Sequence, residues 1–114
     1  GGNDAMIVLE DADLARAANG AAWAGYQNAG QSCGGVERIY VVESVYQQFT
    51  ALLAEKTRTL THGPGTHELN VDFGSLTTAG QLRIVEQHME DALAKGAKIA
   101  AQSAAKGNTE PGAP

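Results

Sequence analysis

Basic residues, cysteines and long apolar runs are all scarce in this chain. Eight Lys and Arg against thirteen Asp and Glu give a net charge of −5, so no basic patch can neutralise nucleic-acid phosphates. No apolar run approaches the roughly 20 residues of a membrane helix, and we expect no membrane partner. The single cysteine cannot form an internal disulfide, which fits a reducing compartment and predicts a cytoplasmic location.

The length of 114 residues fits one domain with a modest core. The chain opens with Gly-Gly-Asn-Asp rather than Met, stops after small polar residues, and closes no structural element at either end. We therefore expect a piece of a longer protein. Residues 1–101 should form a partial domain, and residues 102–114 should be a small, polar and mobile tail.

The first part of the chain alternates apolar runs with a helical pattern. Residues 5–9 contain Ile and Val between polar neighbours and predict a buried strand. An alanine-rich helix should run from about residue 12 to about residue 28. Asp11 is the expected N-cap of this helix, and Asp13 suits the positive end of its dipole. Residues 38–42 predict a second strand.

A second helix is predicted by a capping box. Ser44 and Gln47 have the spacing of that box, so the helix should start at about Val45. The apolar side chains of one face are Val45, Phe49, Leu52, Leu53 and Leu60. Their helical spacing predicts that this face packs inward.

The last part of the chain combines a loop, a third helix and a weak strand. Residues 61–77 show no periodicity and contain turn residues, which predicts a long loop. Thr78 and Gln81 form another capping box, and Gly96 fits the left-handed C-cap of the helix that follows. Residues 97–101 predict a third strand. This alternation is typical of βαβ units, so we predict the α/β class with short parallel strands between helices.

Cys33 lies between the alanine-rich helix and the second strand, in the run Gly30-Gln31-Ser32-Cys33-Gly34-Gly35. A lone Cys is more often a small buried apolar residue than a nucleophile. The flanking glycines favour an exposed helix-to-strand turn, at which the backbone can approach a substrate closely. Nucleophilic use also needs a base, and the motif itself contains none. Arg38 follows closely, but sheet pairing or a structural ion pair explains it equally well.

The histidines and acidic residues have simpler explanations. His62 and His67 lie five residues apart in the irregular loop, without the helical spacing or further ligands of a metal site. We expect solvated loop histidines there and predict no metal. His88 lies beside an apolar helical stripe and should pack at the edge of the core. The acidic cluster at residues 10–13 is explained by the start of a helix.

The order of these motifs resembles that of the NAD(P)-dependent aldehyde dehydrogenases. The matching segments are Gly1-Gly2, the run from Ile7 to Leu14, the run Asn28-Ala29-Gly30-Gln31-Ser32-Cys33, and the run from Arg38 to Val41. The likeness continues through Gly74, Gln81 and the run from Gly96 to Ile99. It covers nearly the whole chain, and implies that residues 1–101 are part of an aldehyde dehydrogenase catalytic domain.

The resemblance implies roles for three residues. Cys33 would be the catalytic nucleophile that attacks an aldehyde carbonyl to give a thiohemiacetal and then, after hydride transfer, a thioester that water cleaves. Its backbone N–H would help to hold the oxyanion. Gly1 would lie near the nicotinamide ring, and Gln81 would contact the cofactor, although helix capping also accounts for Gln81. NAD or NADP would be bound mainly by parts outside this chain.

The resemblance also has limits. Asn3 stands where Lys is usual, Ala5 where Pro is frequent, and Ser75 follows Gly74 where Pro is common. The general-base Glu would lie two residues before Gly1, so the isolated chain is predicted to be inactive. Its expected partners are an aldehyde substrate and the rest of the parent enzyme, itself expected to be a homo-oligomer. The alternatives are a CoA-acylating aldehyde dehydrogenase and a non-catalytic assembly or interaction module.

Overall fold

Two parallel strands joined by a helix form the first part of the molecule. The structure is a computed structural model that describes residues 2–64 and 71–105. Strand β1 (Asp4–Val8) pairs with strand β2 (Val36–Val41), and helix α1 (Leu14–Tyr26) connects them. Because the strands are parallel and alternate with helices, the predicted α/β class is confirmed, and both strands lie within two residues of their predicted bounds.

The core lies where α1 and helix α2 (Glu43–Thr59) pack beside this strand pair. Its buried centre consists of Val8, Ala18, Ala21 and Phe49. Alanines on α1 let the helix approach its neighbours closely, and Phe49, only 2% exposed, is the largest buried side chain of the core. Leu52 and Leu53 pack against the same centre, so the predicted inward face of α2 is confirmed.

A polar contact also joins the two helices. The Tyr26 hydroxyl lies 3.0 Å from Oγ1 of Thr57, which in turn donates to the Leu53 carbonyl at 2.9 Å. Since that bond uses the Thr57 proton, Tyr26 is the donor in the first contact. Thr57 is buried, and the two bonds satisfy its hydroxyl within the core.

The predicted N-caps of α1 and α2 were wrong, although both helices start within two residues of the predicted positions. Asp13, not Asp11, caps α1, and its Oδ1 accepts from the Arg16 backbone N–H at 3.1 Å. The preceding residues instead form a turn, in which the Ala12 N–H donates to the Leu9 carbonyl. Helix α2 begins at Glu43 without a side-chain cap, because β2 leads straight into it through Val42.

A second pair of strands forms further along the chain. Strand β3 (Thr61–His62) pairs in parallel with strand β4 (Ala104–Ala105). The predicted loop therefore starts with a strand, and the strand predicted at 97–101 is wrong, because those residues have no strand partner. Strand β4 instead falls within the predicted tail, where the Ala104 N–H reaches the Leu60 carbonyl at 3.4 Å. Residues 106–114 lie outside the described residues.

Helix α3 (Ala79–Ala94) has the caps that the sequence predicts. Thr78 Oγ1 accepts from the Gln81 backbone N–H at 3.1 Å, and Gly96 adopts a left-handed φ of 97°. The helix has no buried residue, and its apolar face of Leu82, Val85, Met89 and Leu93 is 38–47% exposed. His88 is exposed as well, so its predicted packing at the core edge was wrong. No described helix is both long and apolar enough to cross a membrane.

Candidate active site

Cys33 lies on the turn between α1 and β2 and its side chain is exposed. The predicted helix-to-strand position is therefore confirmed. The Ser32 N–H donates to the Gly30 carbonyl at 2.9 Å, and the Gly35 N–H donates to the Ser32 carbonyl at 3.1 Å. A side chain at Gly34 would meet nothing within 4 Å, so the space beside the thiol is open. A reactant can reach the sulfur from solvent.

An unusual backbone reversal forms the entry to this turn. After α1 ends at Tyr26, Asn28, Ala29 and Gly30 adopt left-handed φ values of 53°, 57° and 76°. The predicted end of α1 near residue 28 is therefore two residues too late. Asn and Gly tolerate this conformation, whereas an alanine costs on the order of 1–2 kcal/mol there. Such strain persists only where the surrounding contacts enforce it.

Gly2 lies directly against the cysteine turn. A Cβ atom at Gly2 would overlap the carbonyl oxygen of Cys33, so only glycine fits without displacement. The residues that open β1 thus approach the backbone of the candidate nucleophile. This proximity brings together two of the segments that carry the sequence resemblance.

Arg38 fixes the same opening segment from the other side. Its Nε and Nη2 donate to the Asn3 carbonyl at 3.2 and 2.9 Å, and Nη1 donates to the Tyr40 hydroxyl at 2.9 Å. The guanidinium carbon also lies 5.7 Å from the centre of the Tyr40 ring. The Arg38 side chain therefore holds a backbone carbonyl next to Gly2 rather than a carboxylate partner.

Gln31 joins the cysteine turn to a distant loop, a contact that sequence reasoning missed. Its Oε1 accepts from both the backbone N–H and the hydroxyl of Thr77, at 2.9 and 2.8 Å. Its Nε2 donates to the Asn28 carbonyl at 2.9 Å. The presence of Gln31 in the Gly-Gln-Ser-Cys run was the available signal, but nothing local identifies a partner 46 residues away.

Gln81 lies on the groove beside this junction. Gly30, Gln31, Thr77 and Gln81 line a groove of about 460 Å³. The backbone of Gln81 serves the helix cap, as the sequence predicts, and the residue lines the groove on the α3 side. Gly1, the other predicted cofactor residue, lies outside the described residues.

His62 belongs to the second strand pair and has structural contacts. Its Nδ1 lies 2.9 Å from the Ser103 hydroxyl, and its ring stacks on Phe73 with 5.6 Å between centroids. The expectation of a solvated loop histidine was wrong for His62, which is half-buried because these partners cover it. His67 lies outside the described residues. The part of the chain that the structure describes contains no cluster of three potential metal ligands.

These features define a parallel α/β protein that presents one exposed cysteine on a glycine-flanked turn beside its first strand. The model of the aldehyde dehydrogenase family matches residues 1–113, so the chain belongs to that family.

Relatives of known sequence and structure agree. The chain is 42% identical over 108 residues to a Methylomonas protein named 4,4'-diapolycopene aldehyde oxidase, covering 95% of this chain and 20% of the relative. It is 40% identical over 111 residues to a Mycobacterium ulcerans protein named putative succinate-semialdehyde dehydrogenase (NADP+) 2, covering 97% and 21%.

Among solved structures, lactaldehyde dehydrogenase from Escherichia coli superposes with a TM-score of 0.85 at 34% identity, covering 88% of this chain and 21% of that one. The chain thus spans about a fifth of the length of the relatives it matches.

Proposed function

We propose that this chain carries the nucleophile of an NAD(P)-dependent aldehyde dehydrogenase, and that Cys33 is that nucleophile. The proposal rests chiefly on the placement of Cys33, which is exposed on its turn and lies against Gly2. A cysteine kept only for packing would be buried. Membership of the family and the NADP(+) in the name of the Mycobacterium ulcerans relative support the choice of reaction and cofactor.

The chemistry begins with a bond from the Cys33 sulfur to the aldehyde carbonyl carbon, which gives a thiohemiacetal. The Cys33 backbone N–H donates to the oxygen on which negative charge develops. Loss of hydride from that carbon leaves a thioester on Cys33, and water cleaves it to the carboxylic acid and the thiol. When bound, NAD(P)+ would accept the hydride lost from that carbon. A base outside this chain removes the thiol proton, so the isolated chain is inactive.

The residues of the groove fit an edge contact with such a cofactor. The groove is open, and its walls carry the polar side chains of Gln31, Thr77, Thr78 and Gln81. Within it, Gln81 would hold the cofactor from the α3 side. The resemblance assigns Gly1 to the nicotinamide end, and most of the dinucleotide would be bound by other parts of the full-length protein.

The proposal is tested by replacing Cys33→Ala in the full-length protein. We expect NAD(P)H formation to be lost with every aldehyde oxidised by the wild type, starting with succinate semialdehyde and lactaldehyde. Ser32→Ala, which removes one hydroxyl from the adjacent residue, is the matched control and should remain active. A Cys33→Ala protein that still forms NAD(P)H would refute the role of Cys33. Acyl-CoA as the product, formed only with coenzyme A present, would favour the CoA-acylating alternative.

A second candidate function is a non-catalytic interaction module, favoured by the exposed apolar side chains. Ile7, Trp23 and the apolar face of α3 are exposed, and such surfaces usually bind a partner. Titration of the full-length protein with iodoacetamide at neutral pH separates the two functions. Rapid alkylation of Cys33 that aldehyde substrate slows indicates a retained active site. Alkylation that substrate leaves unchanged, together with no NAD(P)H formation, favours the module.

The assembly and location of the protein are part of the same proposal. The exposed apolar side chains are those that the rest of the parent enzyme would cover, and the parent would be a homo-oligomer in the cytoplasm. Light scattering of the purified full-length protein measures its mass in solution. A monomer would contradict the proposed assembly.

A further inference from the structure

We propose that Gln31 is a positioning residue, whose side-chain amide fastens the Cys33 turn to the loop that starts α3. This link keeps the nucleophile at a fixed distance from Gln81, the candidate cofactor contact. The inference rests on the proposed function, because it gives Gln31 a task in the reaction that Cys33 performs.

Both ends of the Gln31 amide are used, and each end serves a different segment. The oxygen accepts the two hydrogen bonds from Thr77, at 2.9 and 2.8 Å. The nitrogen donates to the Asn28 carbonyl within the left-handed turn, at 2.9 Å, and lies 3.5 Å from the Ser75 carbonyl. The amide therefore fixes the shape of its own turn and the position of the loop together.

The opposite half of the turn is held by Asn28. Its Nδ2 donates to the Gln31 carbonyl at 3.2 Å, and its own carbonyl accepts from the Gln31 backbone N–H at 3.2 Å. This exchange keeps Gln31 pointed away from α1 and toward the loop. The strained backbone at Ala29 thus lies between Asn28 and the Gln31 side chain, which reaches across the groove to the loop.

The Gln31 amide connects the Cys33 turn to the start of α3, and little packing supports that connection. Helix α3 buries no residue in the described chain. Within residues 2–64 and 71–105, every hydrogen bond between the Cys33 turn and residues 75–78 uses the Gln31 side chain. Loss of that amide leaves the start of α3, and with it Gln81, without a polar tie to the nucleophile.

Three variants of the full-length protein test this role. Gln31→Met keeps the size of the side chain and removes its hydrogen bonds, and misplacement of the nucleophile by about 1 Å should lower kcat about 100-fold. Gln31→Glu keeps the acceptor for Thr77 but places a carboxylate oxygen against the Asn28 carbonyl, so it should recover only part of that loss. Thr77→Val removes only the hydroxyl donor and should lower kcat about tenfold. Gln47→Met makes the same change at an exposed site on α2 and should leave kcat unchanged.

The readouts separate positioning from stability. We expect the KM for NAD(P) to rise in Gln31→Met. The unfolding midpoint of Gln31→Met should equal that of Gln47→Met. The rate of Cys33 alkylation by iodoacetamide should rise about threefold or more, because the turn loses its restraint. The double variant Gln31→Met with Thr77→Val should be no worse than Gln31→Met alone, since one contact cannot be lost twice.

Two results would overturn the inference. One is a Gln31→Met protein that matches Gln47→Met in kcat, KM and alkylation rate. The other, should Gln31→Met fail to fold, is a folded Thr77→Val protein with wild-type kinetics. Failure of the proposed function is distinguishable, because the wild type would then form no NAD(P)H. In that case the alkylation rates alone decide the role of Gln31.

Discussion

Replacement of Gly2 by alanine tests the closest contact of the candidate site. The added methyl group would overlap the carbonyl oxygen of Cys33, and a normal carbon–oxygen contact requires a displacement of about 1.5 Å. Arg38 holds the Gly2 side of this contact through two hydrogen bonds to the Asn3 carbonyl, so Gly2 cannot move away freely. We therefore expect part of the displacement to fall on the backbone of Cys33, the candidate nucleophile.

The expected loss follows from that geometry. Misplacement of a reacting group by about 1 Å costs about 100-fold in rate, which corresponds to about 2.7 kcal/mol in the activation free energy. The assay is the initial rate of NAD(P)H formation by the full-length Gly2→Ala protein at saturating aldehyde, with the rate of Cys33 alkylation measured in parallel. The rate of NAD(P)H formation and the rate of alkylation should both change, because both depend on the position of the Cys33 sulfur.

Gly34→Ala is the matched control, since it adds the same methyl group on the other side of the turn into open space. Because this methyl group enters the space beside the thiol, the control is judged on kcat at saturating aldehyde rather than on KM, and kcat should stay within about twofold of the wild type. A Gly2→Ala protein with the kinetics of Gly34→Ala would refute the argument that Gly2 shapes the site. Equal losses in both variants would show that the turn is sensitive to any side chain, and would also refute it.

Two further predictions concern the support of the site and the core. Arg38→Met removes both hydrogen bonds to the Asn3 carbonyl and should lower kcat about tenfold. Arg16→Met removes an exposed charge from α1 and should leave kcat unchanged. Equal kcat values for the two variants would contradict the role of Arg38. Phe49→Ala should lower the free energy of unfolding by about 3–5 kcal/mol. Tyr46→Ala, on the exposed face of the same helix, should cost far less, as denaturant titration would show, and equal costs would contradict the assigned core.

The first half of the fold was largely predictable because its signals are local. The apolar runs that became β1 and β2, and the helical spacing of Phe49, Leu52 and Leu53, depend on residues a few positions apart. The turn at Cys33 was predictable for the same reason, since glycines flank it in the sequence. These patterns and their outcomes agree because tertiary contacts reinforce the local preference.

The errors arose where several residues could satisfy one local rule. Both Asp11 and Asp13 can cap a helix, and the turn from Leu9 to Ala12 decides which one does. The left-handed conformation of Ala29 has no signal in its own side chain, because alanine disfavours it. It depends on neighbours such as Gln31.

The remaining misses concern contacts between distant segments. The β4 strand consists of two alanines, which have little preference for strands, and it forms because Thr61 and His62 offer an edge. The bond between Gln31 and Thr77 likewise joins residues 46 positions apart. Single-sequence patterns do not encode such pairings. The family resemblance pointed to Cys33 as the candidate nucleophile, but only the folded structure shows which contacts hold its turn.

The contact between Gly2 and Cys33 has a consequence for how the protein is made. The two residues come together only when β1 and β2 pair, and parallel pairing requires the whole crossover through α1 to be synthesised first. Because β2 starts three residues after Cys33, the turn reaches its final shape only when β2 pairs with β1. A substitution that weakens this strand pairing would therefore also loosen the contact between Gly2 and Cys33.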